Sequence, residues 1–295
     1  MPSNIVSGLT LDPDRSVGSG AYAGLPFSMY STTLNHLVNF SRFKHIKHSP
    51  GHVMTVESGP DTSARKLGRL VHLLTFEPRA LGRHFAVPEA MPRRTADQRI
   101  AADARDRDLE VSGITPVTQE LWDRAHVLAS NARNHPAVTA ILSKSFTPEL
   151  TLVWEDPCFP GGRLKARLDY YSESVGVVAD LKTCGIGQAR PDKFISIACG
   201  ALSNYHWQAA WYMRGLKALG MPANSFVWIA VETDGPMCVS VINCNSEILE
   251  YANREIEQHL KSLSDYMTAG SLSFLSYGSK IITPETPAWV KEKSL

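Results

Sequence analysis

The stretch RLKARLDYYSESVGVVADLKT, residues 163–183, decides the fold because it predicts two strands joined by a short turn. Side chains alternate across a strand. Asp169 therefore ends a row of polar residues on the first strand, while Asp180 and Lys182 share one face of the second. If the strands pair as a hairpin, the two carboxylates converge beside the ammonium of Lys182. Carboxylates this close repel each other unless a cation neutralises them, and this predicts a site for a divalent ion.

The chemistry of such a site follows from its ligands. Oxygen ligands that leave room for water and phosphate suit Mg²⁺ or Mn²⁺, and two such ions can share a site. Lys182 would hold the attacking water or offset charge on a phosphoryl group. The alternative is structural, with Asp169 capping a turn and Asp180 paired with Lys182 in a salt bridge. Burial of that pair in mid-strand is costly without a function or tight pairing.

Composition excludes several classes of protein. The chain has 295 residues, a net charge of +1 and five cysteines without a CxxC pair, so the sequence predicts neither a disulfide framework nor an iron-sulfur cluster. Neither a GxxxxGK[ST] loop nor an HExxH motif is present. The first residues, MPSNIVSGLTLDPD, lack a signal pattern, and no apolar run is long enough for a bilayer. We therefore expect a cytoplasmic protein that has no membrane partner.

The order of the predicted elements indicates one α/β domain. We expect a flexible N-terminal arm over 1–28, a domain over 29–270 in which a central mixed sheet is flanked by helices, and a C-terminal tail over 271–295. DTSARKLGRLVHLLTFEP predicts a helix that Asp61 caps and Pro78 stops. The charged run 92–110 predicts a solvated helix or a mobile excursion.

Several motifs resemble one family in order and spacing. Asp169, ten residues and Asp180-Leu181-Lys182 resemble the PD-(D/E)XK nuclease signature, with Leu168 where proline is common. Four further segments are similar to the RecE-like exonucleases of the exodeoxyribonuclease VIII type: SPGH (49–52), GRLVHLLTFEP (68–78), PELTLVWED (148–156) and YHWQAAWYMRG (205–215). The resemblance implies the restriction-endonuclease-like fold and a Mg²⁺-dependent deoxyribonuclease that resects linear duplex DNA from its ends, from 5′ to 3′.

The resemblance also implies roles for individual residues. The metal ligands would be His72, Asp169, Asp180 and the carbonyl of Leu181, with Glu149 assisting. Gln208 and Tyr212 are four apart on a helix and would position DNA. The candidates for a basic DNA-binding surface are Arg65, Lys66, Arg69, Lys165 and Arg167.

Helix geometry supports a role for these helical residues, but each also has a purely structural explanation. Gly68 and His72 share a helix face, and the missing side chain at Gly68 would let another backbone or a phosphate approach the imidazole. A histidine on an apolar helix is more often a core residue. Trp207 and Trp211 form an apolar pair that favours packing.

Family members of this kind act in phage or prophage recombination, so the resemblance implies a homo-oligomer, such as a ring around DNA, and a single-strand annealing partner in a bacterial or phage-infected cell. Two alternatives stay open. One is a structure-specific or nicking endonuclease of the same fold, and the other is a catalytically silent subunit that binds DNA ends.

Overall fold

The computed structural model describes residues 5–7, 19–23, 37–56, 59, 61–89 and 91–269. Its strands are β1 (Ile5–Ser7), β2 (Gly20–Ala23), β3 (Val38–Asn39), β4 (Phe85–Ala86), β5 (Thr115–Pro116), β6 (Thr147–Asp156), β7 (Phe159–Ser172), β8 (Val177–Cys184), β9 (Ser225–Glu232) and β10 (Val239–Asn243). Its α-helices are α1 (Phe40–Phe43), α2 (Pro50–Thr55), α3 (Ser63–Phe76), α4 (Leu81–His84), α5 (Ala96–Val111), α6 (Gln119–Asn134), α7 (Pro136–Leu142), α8 (Pro191–Ala198), α9 (Tyr205–Ala218) and α10 (Ser246–Ala269).

The main sheet is mixed and has the order β1-β2-β6-β7-β8-β9-β10, with β3 paired to β7 in parallel. β7 and β8 form the antiparallel hairpin that the sequence predicts. On its other side β8 runs parallel to β9 along its whole length. β8 is therefore an interior strand with a neighbour on each edge. The predicted α/β fold, a mixed sheet flanked by helices, is confirmed.

Each face of the sheet carries its own apolar cluster. Val178 of β8 packs with Trp207 and Trp211 of α9, and both tryptophans are wholly buried. Ala179 and Leu181, on the opposite face of β8, pack with residues of α3 and α6. A fully buried large apolar side chain stabilises the fold by about 1.5–3 kcal/mol, so the two faces hold α9 and α3 firmly against β8.

Helix α3 differs from its prediction at its first turn. Thr62, not Asp61, caps the helix by accepting a hydrogen bond from the Arg65 backbone at 3.3 Å. Asp61 is instead engaged with Arg69, at 2.5 Å. The helix ends at Phe76, as the proline at position 78 predicts.

The segments flanking the core are only partly described. Ile5–Ser7 and Gly20–Ala23 form strands at one edge of the main sheet, within the segment 1–28 for which the sequence predicts a flexible arm. The sequence does not reveal these strands because they are too short to show an alternating pattern. The predicted tail over 271–295 lies outside the described residues.

The charged run 92–110 forms most of α5, a solvated helix with a capping box between Thr95 and Gln98. Of its residues, Ala102 is the buried one. None of the helices that the structure describes is long and apolar enough to cross a bilayer.

Candidate active site

The site begins where the β7–β8 ladder stops. The two strands pair through Tyr170 and Ala179 and no further along the described register. Asp169 and Asp180 are the next residues on either strand. The backbone N–H of Leu181, which no longer serves the ladder, donates to Oδ2 of Asp169 at 3.3 Å. The strands therefore splay into a fork, and its two arms carry the carboxylates that the sequence predicts to converge.

Asp180 and Lys182 form an ion pair on one face of β8. The Asp180 side chain is 1% exposed, and burial raises its pKa to about 6; Lys182 opposes this rise and Asp169 adds to it. Burial lowers the pKa of Lys182, but the carboxylates of Asp180 and Asp169 outweigh burial and hold it above its ordinary value. Lys182 is therefore an ammonium at neutral pH, and it lies 4.9 Å from the ring centre of Tyr205.

His72 bridges two carboxylates from the other side of the fork. Its Nδ1 lies 3.4 Å from Oε1 of Glu149, and its Nε2 lies 3.4 Å from Oδ2 of Asp169. Helix α3 can approach β8 closely because a Cβ at Gly68 would lie 3.3 Å from Oγ1 of Thr183. The glycine thus admits a side chain of β8, and one turn later the same helix face carries His72 into the fork.

Glu149 reaches the site through an irregularity in β6. Its neighbours Pro148 and Leu150 pair with β7, whereas Glu149 lies opposite Asp169 with a φ of 51°, in the left-handed region. Arg167 forms an ion pair with Glu149 through its Nε. That pair fixes the carboxylate next to His72. Glu149 therefore lies in the same site as His72 and Asp169, although its role is the one that the sequence supports least.

The donor set fits a divalent cation. Ligand atoms of His72, Glu149 and Asp169 all lie within 4.8 Å of one another. Two further observations fit such an ion: Nε2 of His72 and Oδ1 of Asp180 are buried, and neither has a hydrogen-bond partner among the described residues. Carboxylate oxygens with one imidazole suit Mn²⁺ and related divalent ions, and Mg²⁺ where the carboxylates dominate. Metal ligation stays a prediction for all of the proposed ligands, including Asp180 and the carbonyl of Leu181.

The predicted pair on α9 forms a contact of its own. Nε2 of Gln208 donates to the hydroxyl of Tyr212 at 2.8 Å. Tyr212 is 7% exposed and packs near Phe226, so its side chain positions Gln208 rather than presenting itself to solvent. Gln208 is partly exposed and is the member of the pair that can contact a ligand.

The predicted basic surface is only partly present. Lys165 is 2% exposed and burial lowers its pKa to about 8, so the structure does not support its predicted place on a DNA-binding surface. β3 pairs with β7 at this position and covers the strand, which the local alternation does not reveal. Arg167 is partly buried and forms an ion pair with Glu149. Arg65 and Arg69 remain exposed on α3.

Lys66 is less available than these arginines. It is partly buried and donates to the backbone carbonyl of Pro116 at 3.3 Å.

Two residues near the site escape the sequence analysis. Glu77, directly after α3, has a pKa raised by burial and by the carboxylate of Glu149. Lys44, directly after α1, has a pKa lowered by burial and by the neighbouring charges of Arg65 and Lys182. Glu77 belongs to the GRLVHLLTFEP segment, but the pattern assigns it no role, and Lys44 lies outside the recognised motifs.

Comparison with known proteins agrees with this geometry. Residues 39–273 match the family model described as PDDEXK-like domain of unknown function, DUF3799. The chain belongs to this family. The PD-(D/E)XK core predicted from Asp169, Asp180 and Lys182 is thereby confirmed, whereas the narrower RecE-like assignment stays a prediction. None of the curated proteins is similar to the chain in sequence.

Two solved structures resemble this PDDEXK-like protein. A provisionally assigned exonuclease of Eubacterium rectale has a TM-score of 0.57 and 12% identity, over 92% of this chain and 99% of the other. A phage-related exonuclease of Haemophilus somnus 129PT has a TM-score of 0.33 and 13% identity, over 65% of this chain and 94% of the other. The similarity to the first structure supports the fold alone, and the TM-score of the second is too low to support an inference.

Proposed function

We propose that this PDDEXK-like protein is a divalent-metal-dependent deoxyribonuclease that resects linear duplex DNA from its ends, from 5′ to 3′, and leaves single-stranded tails for recombination. The observation that carries the proposal is the fork between β7 and β8. It brings Asp169, Asp180 and Lys182 together with His72 and Glu149 at one point of the sheet. A purely structural salt bridge explains Asp180 and Lys182, but it does not explain a further histidine and two further carboxylates beside them.

Hydrolysis of a phosphodiester joins a water oxygen to phosphorus, breaks one bond from phosphorus to a sugar oxygen, and moves one proton from the water to the departing oxygen. Asp169, His72 and Glu149 would hold the metal ion, and Mg²⁺ is the ion that we propose. When bound, such an ion supplies positive charge that offsets the charge gathering on the phosphoryl oxygens.

Lys182 acts on the water or on a phosphoryl oxygen. Because neighbouring carboxylates keep it protonated, it donates hydrogen bonds and cannot accept the proton of the water. Asp180 holds its ammonium on the face of β8 that carries the fork. Gln208, fixed by Tyr212, is placed to orient the DNA backbone, as amide side chains commonly do.

The test is digestion of linear duplex DNA labelled separately at its 5′ and 3′ ends, with Mg²⁺ or with EDTA. The wild type is compared with Asp180→Asn and Lys182→Met, which preserve side-chain volume. Asp265→Asn on α10 is the matched control, because its carboxylate is exposed. A covalently closed circular duplex accompanies each reaction.

We expect metal-dependent loss of the linear substrate, with release of the 5′ label first, in the wild type and in Asp265→Asn only. Cleavage of the closed circle would indicate an endonuclease of the same fold. DNA binding without cleavage of either substrate would indicate a silent end-binding subunit. The ring-shaped homo-oligomer and the annealing partner are further parts of the proposal, and they rest on the family resemblance alone.

A further inference from the structure

Lys182 has an aromatic neighbour in addition to its carboxylate. Its Nζ pairs with Asp180 on its own strand and lies 4.9 Å from the ring centre of Tyr205, the first residue of α9. A lysine ammonium stands on a flexible four-carbon stem, so one ion pair alone does not fix its direction. An aromatic face within about 6 Å attracts an ammonium, and the ring therefore supplies a second contact that limits where Nζ can turn.

The ring contact matters because Asp180 is also a proposed metal ligand. A carboxylate that serves two cations holds each of them less firmly than it would hold one. The ring of Tyr205 carries no formal charge, so it steadies Lys182 without competing for the ion. The contacts of Tyr205 with Lys182 and with Phe194 are both made by the ring rather than by the hydroxyl.

The ring of Tyr205 is itself supported by α8 and the sheet. Phe194 of α8 is 1% exposed, and its ring lies 6.3 Å from that of Tyr205 with the two planes at 25°. Phe194 also contacts Trp228 of β9, at 5.9 Å, and Trp228 is the residue opposite Asp180 in the β8–β9 register. The ring therefore rests on the part of the sheet that carries the ion pair.

The turn before α9 fixes where this ring lies. Asn204 has φ 53° and ψ 31°, in the left-handed region, which asparagine enters more readily than most residues. Its side chain is buried: Nδ2 donates to the carbonyl of Ala201 at 2.9 Å, and Oδ1 accepts from Nζ of Lys47 at 2.5 Å. Its backbone N–H donates to Gly200, and its carbonyl accepts from the N–H of Gln208. All four polar groups of Asn204 are engaged, so the direction in which α9 leaves the turn is set.

Lys47 ties this turn to a distant part of the chain. It ends the 3₁₀-helix Lys44–Lys47, and its Nζ also lies 4.4 Å from the ring centre of Trp207, which is wholly buried. Without this ammonium, Oδ1 of Asn204 would lose its donor at a position nearly closed to water, and the turn would loosen.

We propose that Tyr205 is a positioning residue for Lys182, and that Asn204 and Lys47 set its ring in place. The inference rests on the proposed nuclease function, in which Lys182 acts on the water or on a phosphoryl oxygen. Tyr205 acts through Lys182 alone. This differs from a DNA-binding role, in which Tyr205 would act on the substrate directly, and from a packing role, in which it would affect stability alone.

The test measures cleavage of linear duplex DNA by the full chain with Mg²⁺, in single turnover with the protein in excess. This gives the rate constant at saturation separately from the protein concentration at half-saturation. Tyr205→Phe keeps the ring and Tyr205→Leu removes it. Tyr251→Leu on α10 is the matched control, because its ring is half-exposed and stacks on that of His206. Tyr205→Leu is also combined with Lys182→Met.

We expect Tyr205→Leu to lower the rate constant about 3-fold to 30-fold, the factor that a cation–π contact represents, and to change half-saturation less than about 2-fold. Tyr205→Phe and Tyr251→Leu should cleave as the wild type does. In the Lys182→Met background, Tyr205→Leu should have no further effect, because residues that act through one another are not additive.

Lys47→Met tests the same arrangement from the surface. Lys47 is exposed, so its replacement opens no cavity in the core and keeps the test decisive if Tyr205→Leu fails to fold. We expect a smaller fall in the rate constant than for Tyr205→Leu, and again no further effect when Lys182 is already methionine. An unchanged rate constant for Lys47→Met would overturn the role of Lys47 and Asn204.

Two outcomes overturn the role of Tyr205 and leave the nuclease proposal standing. Equal losses with and without Lys182 would make Tyr205 a residue that acts on DNA directly. A lower melting temperature with an unchanged rate constant would make it a packing residue. A wild type that does not cleave DNA with Mg²⁺ overturns both proposals.

Discussion

Replacement of Asp180 by asparagine should stabilise the metal-free protein at pH 8 even though it removes a charge from the active site. The pKa of Asp180 is raised from its ordinary value of 3.8 to about 6, chiefly by burial. The folded state therefore binds this proton more tightly than the unfolded state does. The ionised carboxylate thus costs stability above pH 6, and that cost disappears as the pH falls toward 4.

The size of the effect follows from the shift. A shift of about 2 pKa units corresponds to about 3 kcal/mol, which is the largest gain that a neutral side chain of the same shape can give. Asparagine loses the attraction between the carboxylate and Lys182. That attraction is one of the causes of the pKa of Asp180, so the figure of about 3 kcal/mol already includes its loss. We expect Asp180→Asn to gain about 1–3 kcal/mol in free energy of unfolding at pH 8, and almost nothing at pH 4.

The assay is urea unfolding in EDTA at both pH values, with Asp265→Asn as the control for loss of an exposed carboxylate. Mg²⁺ or Mn²⁺ at ten times its dissociation constant should narrow the difference in stability at pH 8, because the ion stabilises the wild type by about 1.4 kcal/mol and the variant by less. The reasoning is refuted if Asp180→Asn is less stable than the wild type in EDTA at pH 8. The ion pair with Lys182 would then outweigh burial.

Three further outcomes follow from the same contacts. Lys182→Met should lower DNA cleavage about 100-fold to 1000-fold, measured by gel assay, while binding in EDTA changes by less than about tenfold; equal losses of both would contradict a catalytic role. Asp156→Ala should lower the free energy of unfolding in urea by about 3–5 kcal/mol, because it leaves the partly buried Arg214 without its main partner, and a loss under about 1 kcal/mol would contradict this. Tyr212→Phe should cost about 1 kcal/mol in urea and lower cleavage more than Asp265→Asn does, because Gln208 loses its hydrogen bond; unchanged cleavage would leave Gln208 without a role in positioning DNA.

Local periodicity was sufficient to predict a hairpin whose strands bring the two carboxylates and Lys182 near one another. Alternation along two strands placed Asp169, Asp180 and Lys182, and helical spacing placed His72 on the same face as Gly68. These inferences need only the pitch of a strand and of a helix, which are the same in every protein.

Long-range packing supplied what periodicity could not. Lys165 alternates correctly with its neighbours, yet it is 2% exposed, and β3, which pairs with its strand at this position, comes from distant sequence. Lys44 lies beside the site because Phe43 enters a pocket of tryptophans on α9. Glu149 points into the cluster through a left-handed backbone, and glutamate carries no local signal for that conformation.

At position 149, selection for stability and selection for activity favour different residues because of the backbone conformation. A glutamate at a φ of 51° costs on the order of 1 kcal/mol that glycine or asparagine would avoid. Random variants screened only for heat resistance should accumulate Gly or Asn at position 149 and lose the proposed metal binding as they do so. A glutamate that persists there through prolonged drift under selection for activity would record that this carboxylate is needed.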